Sequence, residues 1–131
     1  MEDENIFHIA RKKNNNRLII GQININSVRN KFEMLKELVK ENIDILLISE
    51  TKIDKSFSTA EFEIDNFYSP FRLDRNKYGG GLLLYIREGI PSKLLNSYTE
   101  NSEIENMFIE INTRSKKCSY NTNVSKIQNQ N

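Results

Sequence analysis

"RLIIGQININSVRNKFEMLKELVKENIDILLISETK", residues 17–52, decides the fold, because its hydrophobic period changes twice. The first piece, "RLIIGQINI" (17–25), is rich in isoleucine and reads as a strand that stops at Asn26-Ser27, either of which can cap a helix. The middle piece places Val28, Phe32, Leu35 and Val39 at steps of four, three and four, with Leu38 alongside. That is one apolar stripe on an amphipathic helix, with Arg29, Lys31, Glu33, Lys36, Glu37 and Lys40 mostly off it. Asn42 ends the helix, and "IDILLIS" begins a second strand whose unbroken apolar run suits burial on both faces. Strand, helix and strand with short joints make a βαβ unit, whose strands are expected parallel, adjacent and joined by a right-handed crossover.

Outward from this unit the text is less regular. Residues 1–16 have no period and read as a disordered tail, with Ile6, Phe7 and Ile9 as a short clip onto the domain. "TKIDKSFSTAEFEIDNF" (51–67) reads as a loop with a short strand or helical turn. "YSPFRLDRNKYGGG" (68–81) leads through a tight turn or bulge into the strand "LLLYIRE". "IENMFIEIN" (104–112) is a further strand with Ile104, Phe108 and Met107 inward, and "CSY" (118–120) begins another. The domain is expected to span 17–123, and 124–131 is an Asn/Gln-rich tail.

Composition excludes more than it assigns. The 131 residues suit one domain, and 19 basic against 18 acidic residues leave a net charge of +1, so any nucleic-acid footprint must be local. One cysteine, Cys118, rules out an internal disulfide framework, and with no histidine following it reads as an incidental thiol. The longest mainly apolar runs, 43–48 (broken by Asp44) and 82–86, are too short to cross a bilayer, and the N-terminus has no signal-peptide apolar core. The expectation is a nuclear or cytoplasmic protein with no membrane partner. Asn, Ile and Lys are heavily used, so a lone Asn or Lys carries little weight.

Parallel strands send their C-terminal ends to one sheet edge, where open α/β sheets bind ligands. Here that edge receives Asn24 and Asn26 from the first strand and Glu50 from the second. Neighbouring strands lie roughly 5 Å apart, so an amide oxygen and a carboxylate can converge on one small cation. Mg²⁺ takes one or two carboxylates, keeps several waters and completes its shell from substrate phosphate. On spacing alone a solvated acid is the commoner outcome, and Asn26 reads equally as a cap.

Three ordered stretches, "GQININSVRNK", "IDILLISETKID" and "FRLDRNKYGGGLLLYIRE", resemble the N-terminal half of the endonuclease/exonuclease/phosphatase superfamily. The closest resemblance is to endonuclease domains of non-LTR (LINE-type) retrotransposons. The resemblance implies a partial four-layer α/β sandwich, DNase I-like, with its C-terminal half missing. It also implies a Mg²⁺- (or Mn²⁺-) dependent DNA endonuclease that nicks target sites. Carried over by motif, Asn24 looks like the family's first-strand Asn, Asn26 stands near the cation, and Glu50 in "SETK" looks like the metal-binding glutamate. "CSYNTN" is similar to the later motif that contacts the scissile phosphate, which makes Tyr120 and Asn123 candidates. Arg72, Arg75 and Lys77, before the glycines, are candidates for DNA phosphates, against a solvated hairpin tip offset by Asp74.

The family's base, a His paired with an Asp, and its Asp-x-Asn pair have no counterpart here. After Tyr120 no Asp or His follows, and His8 precedes the first strand. The resemblance thus implies a fragment that is inactive alone. Alternatives are a non-catalytic retroelement remnant that binds metal or nucleic acid weakly, or a half-domain completed by another chain. The missing half, or the reverse transcriptase domain of a parent element, is the expected partner. Half a sandwich is also expected to lack its second sheet, leaving apolar faces exposed and the chain poorly soluble or molten.

Overall fold

The computed structural model describes residues 5–98, 105–112, 117–121 and 126–130. In chain order they form α1 (Ile6–Lys13), β1 (Ile20–Asn24), α2 (Val28–Val39), β2 (Ile45–Ser49), a 3-10 turn (Thr59–Phe62), β3 (Phe71–Leu73), β4 (Leu82–Ile86), β5 (Ser92–Tyr98), β6 (Asn106–Asn112), β7 (Lys117–Asn121) and β8 (Lys126–Gln130). One sheet runs β1-β2-β4-β3 and the other β5-β6-β7-β8.

The βαβ unit is present where the hydrophobic period places it. β1 and β2 are parallel neighbours, with Asn24 opposite Ser49. The apolar stripe of α2 buries Val28, Leu35 and Val39, and Phe32 packs beside them. Strand β2 is buried on both faces by alternation. Leu46 and Ile48 join α2, Leu83 and Tyr85 on one side; Ile45 and Leu47 meet Leu82, Leu84 and Ile86 on the other. Burial continues into Met107, Ile109 and Ile111 of β6, so the second sheet covers the back of the first.

That cover corrects two expectations. The second sheet is not missing, because β5 and β6 pair antiparallel and Met107, Ile109, Ile111 and Leu94 pack on the first sheet. The molten state expected from a bare face therefore loses its physical basis. The inward set of β6 differs in part from the expectation: Met107 is buried as expected, together with Ile109 and Ile111, while Phe108 on the other face is only half-buried. A shift of one residue exchanges the faces of a strand. Ile104 lies outside the described residues.

The N-terminus differs as well. Residues 6–13 are helical where an aperiodic tail was expected. Tertiary bonds rather than periodicity hold this helix. Asn5 accepts from Phe7 N–H and donates to the Leu38 carbonyl, and Arg11 pairs with Asp44 at 2.6 Å. Phe7 does pack on the core, as the clip reading expected. At the other end β8 pairs with β7 where a tail was expected.

Tyr85 closes the helix-side core. It is fully buried, donates to the Phe62 carbonyl at 2.8 Å and meets Phe67 edge-on. Burial pushes its phenol well above the ordinary range, with the Glu63 carboxylate adding to the effect. Folding therefore favours the neutral phenol. That stabilisation is complete below the unfolded pKa of about 10 and is lost as pH rises through the folded value. Tyr85→Phe is expected to cost about 1 kcal/mol at neutral pH, the worth of one hydrogen bond. It should also flatten the loss of stability above about pH 10, measured by denaturant unfolding at several pH values.

Candidate metal and phosphate site

The C-terminal edge of the parallel pair is built from three chain segments stitched through their backbones. Ile25 N–H donates to the Ser49 carbonyl, Ser27 N–H to Glu50, and Val28 N–H to Thr51, at 2.9–3.0 Å. On the other side Lys52 N–H donates to the Gly80 carbonyl at 3.0 Å and Thr51 N–H to Gly81 at 3.4 Å. β1, β2 and the glycine turn thus leave the sheet together.

The backbone here is strained. Among the described residues six non-glycines have positive φ, and four of them lie at this edge: Asn26 (46°), Ser27 (83°), Glu50 (56°) and Lys52 (55°). Asn adopts this region at little cost, but Ser, Glu and Lys do so at roughly 1–2 kcal/mol each. Such conformations persist where surrounding contacts fix them, and they gather at functional sites. Ser27 holds the N-cap position of α2 but its side chain makes no capping bond, so the cap reading of the Asn26-Ser27 pair is not realised.

Glu50 is half-buried, and its Oε2 accepts the Gly80 N–H at 3.0 Å. A carboxylate offers about four lone-pair positions, so most of its accepting capacity remains. Asn24 Oδ1 accepts from Asn26 N–H at 3.2 Å. Asn26 Oδ1 accepts from the Lys52 ammonium, and the Asn26 carbonyl accepts from Lys31 at 3.0 Å. The amides of Asn24 and Asn26, either of which was expected to share a cation with Glu50, thus each have their oxygen already engaged once. Among the described residues no three His, Cys, Asp or Glu side chains converge as a metal cage. One carboxylate with exposed amide oxygens still suits Mg²⁺, which keeps most of its waters.

Asp54 is turned away from this corner. It accepts from the Ser56 amide at 2.9 Å and from the Ser56 hydroxyl, and those bonds hold its carboxyl below the usual carboxylate range. Arg72 is also engaged elsewhere. Its five N–H groups reach Asp74 (2.7 and 3.3 Å), the Phe57 and Asp54 carbonyls (2.7 and 3.1 Å) and the Thr59 hydroxyl (3.0 Å). It clamps the 54–59 loop to β3, which leaves no donor for a phosphate and corrects its reading as a DNA contact. Arg75 and Lys77 stand exposed at the hairpin tip, where Asn76 Oδ1 accepts from the Tyr78 and Gly79 amides. Arg75 also donates to the Gly79 carbonyl at 3.3 Å.

Tyr120 lies on β7 in register with Ile109. β6 and β7 are antiparallel, so the end of β7 returns to the end of β6 that carries Glu105. Asn123 lies outside the described residues. His8 is at the opposite edge, with Nδ1 3.2 Å from Asn42 Oδ1.

Four residues at this edge were not singled out by sequence. Lys52 orients Asn26. Gly80 supplies the amide that fixes Glu50. Tyr78 is 80% exposed, with the Lys77 ammonium 5.3 Å from its ring centre. Glu105, half-buried at the start of β6, takes the Gly81 N–H between both carboxylate oxygens at 2.9 and 3.0 Å. Lys52 had a signal in its place in "SETK", and Tyr78 and Gly80 in the "YGGG" turn; Glu105 had none, being far from Glu50 in the chain and brought to the neighbouring Gly81 amide only by the fold.

No protein-family model and no curated protein matches the chain. Among solved structures it is similar to the 3' phosphatase NExo from Neisseria bound to product DNA hairpin, with a TM-score of 0.56 and 16% identity. The similarity covers 79% of this chain and 40% of that one, so the chain spans about two fifths of its solved neighbour. At that identity the likeness establishes the fold: a partial α/β sandwich of the DNase I-like kind.

Proposed function

We propose that this chain carries the metal-holding half of a Mg²⁺- or Mn²⁺-dependent DNA phosphodiesterase, of the kind that nicks target DNA in non-LTR retrotransposition. The observation that carries the reading is the strained edge, where Asn26, Ser27, Glu50 and Lys52 take left-handed backbone around one carboxylate. The sequence motifs and a fold shared with a DNA-bound 3' phosphatase support it.

A divalent cation at this edge would supply positive charge to a phosphate oxygen. Glu50 would hold it through the positions Gly80 leaves open, and Lys52 keeps the Asn26 amide oriented. Arg75 and Lys77 meet the phosphate backbone from the hairpin tip, with Tyr78 beside them. Asn24, Tyr120 and Asn123 are assigned to the phosphate by their motifs alone. Water activation needs a base, and the one histidine of this sequence is bonded to Asn42 at the far edge. By itself the chain is therefore read as non-catalytic.

The expected result is no Mg²⁺-dependent nicking of supercoiled plasmid above background. Clear nicking that Glu50→Ala abolishes would overturn the inactivity. DNA binding is expected to be weak and salt-dependent, and Lys77→Ala should reduce the salt slope by about one. A slope unchanged by that substitution removes the hairpin from the interface.

A second reading, a half-domain completed by another chain, is favoured by the 40% coverage of the neighbour. Translating the DNA downstream in all frames tests it, since Asp-x-Asn and Ser-Asp-His segments there would identify the complementing half.

A further inference from the structure

We propose that Glu105 is a positioning residue for Glu50, acting from the second sheet through the Gly80-Gly81 peptide. The inference rests on the reading of Glu50 as the acid of the site. Two successive amides of one turn are each held by a carboxylate from a different sheet: Gly80 N–H by Glu50 of the first, Gly81 N–H by Glu105 of the second. The peptide plane between them is pinned at both ends. Its carbonyl accepts from Lys52 N–H at 3.0 Å, and its N–H points into the fork of the Glu105 carboxylate.

This pinning matters because glycine supplies no steric guide of its own. Gly80 (φ +71°) and Gly81 (φ +98°) have left-handed conformations open to a wide range of rotation. Only the two torsions of Gly80 separate the plane of the Gly80-Gly81 peptide from the Gly80 N–H that Glu50 accepts, so a shift of that plane carries over to the N–H. The bond from Thr51 N–H to the Gly81 carbonyl is long, at 3.4 Å, and holds the next peptide rather than this one. An amide bonded to a carboxylate is among the stronger hydrogen bonds, so Glu105 sets the turn. The geometry makes Glu105 the outer support of the candidate cation ligand, and it ties formation of the second sheet to the shape of the site.

Amide ¹⁵N–¹H spectra of the full chain test this. The Gly80 and Gly81 signals would be followed in the unaltered protein, Glu105→Gln, Glu105→Ala and Glu50→Gln. Both Glu105 variants are expected to move the Gly81 amide and also the Gly80 amide, the latter in the direction that Glu50→Gln moves it. Mn²⁺ affinity should fall about tenfold in Glu105→Gln, the scale of lost support behind a metal ligand. If Gly81 moves while Gly80 stays fixed, Glu105 is structural only and the proposal fails. It fails equally if melting temperature falls while Mn²⁺ affinity holds. Should Glu105→Ala fail to fold, Glu105→Gln, which keeps size and one acceptor, decides. If the unaltered chain takes up no Mn²⁺, the metal reading fails by itself, and the Gly80 shift still decides the positioning role.

Discussion

Glu50→Gln is expected to weaken Mn²⁺ binding by about a hundredfold or more, beyond the tenfold to hundredfold typical of losing an outer support. Glu50 is the only carboxylate at this corner, among the described residues, that is not directed elsewhere. Asp54 is turned to Ser56, and Glu105 is held on the Gly81 amide. Asn24 and Asn26 offer only neutral amide oxygens, each already accepting one bond. Replacing the carboxylate therefore removes the charge on which a hard cation depends. Folding should change little, because a glutamine oxygen still accepts the Gly80 N–H, and a shift in melting temperature under about 3 °C is expected. Electron paramagnetic resonance of free Mn²⁺, titrated against each protein, reads the affinity. Equal affinity in the variant would show that the cation binds elsewhere.

Gly81→Ala is expected to destabilise the fold by about 3 kcal/mol or more, a large part of the 5–15 kcal/mol typical of a domain. Two causes add. At φ +98° an L side chain is strained, for roughly 1–2 kcal/mol. A methyl there would also stand 2.1 Å from Thr51 Oγ1, which is buried and makes no hydrogen bond. Overpacking of this kind costs about 1–3 kcal/mol. Thr51→Ala removes the obstructing atom, and because its hydroxyl is unpartnered the single change should stay within about 1 kcal/mol of neutral. The double variant is then expected to regain the steric part and keep the φ penalty, a coupling of about 1–2 kcal/mol in a denaturant cycle. Strictly additive losses would mean that Thr51 is not what excludes a side chain at 81.

Local pattern accounts for what could be read in advance. The βαβ unit was legible because Leu46 and Ile48 face one layer and Ile45 and Leu47 the other, which an unbroken apolar run announces. The glycine turn was legible because positive φ at Gly80 and Gly81 demands glycine. Helix α1 was not, because Asp44, Asn42 and Leu38 hold it from elsewhere in the chain. The second sheet was missed for a related reason: a strand pattern at 104–112 does not say which sheet it joins, and Phe108 was placed on the buried face beside Met107 when the two alternate. Arg72 illustrates the limit for site residues. Five donors serve carbonyls as well as phosphates, and only the positions of Asp54, Phe57, Thr59 and Asp74 decide between them. Glu50 was legible as an acid ending a buried strand, whereas the Gly80 amide that aims it and the Glu105 behind that amide arrive only through folding.

Paramagnetic broadening locates a bound cation directly, and it separates two acid-bearing places on this molecule. One is the Glu50 edge. The other is an open cavity of about 590 Å³ at the opposite edge, whose lining includes His8, Glu37, Glu41 and Asp65. Substoichiometric Mn²⁺ added to ¹⁵N-labelled protein is predicted to erase the amide signals of Asn26, Lys52, Gly80 and Gly81 first, and excess Mg²⁺ should restore them. First loss at His8, Glu41 and Asp65, or no selective loss anywhere, would contradict a cation site at Glu50.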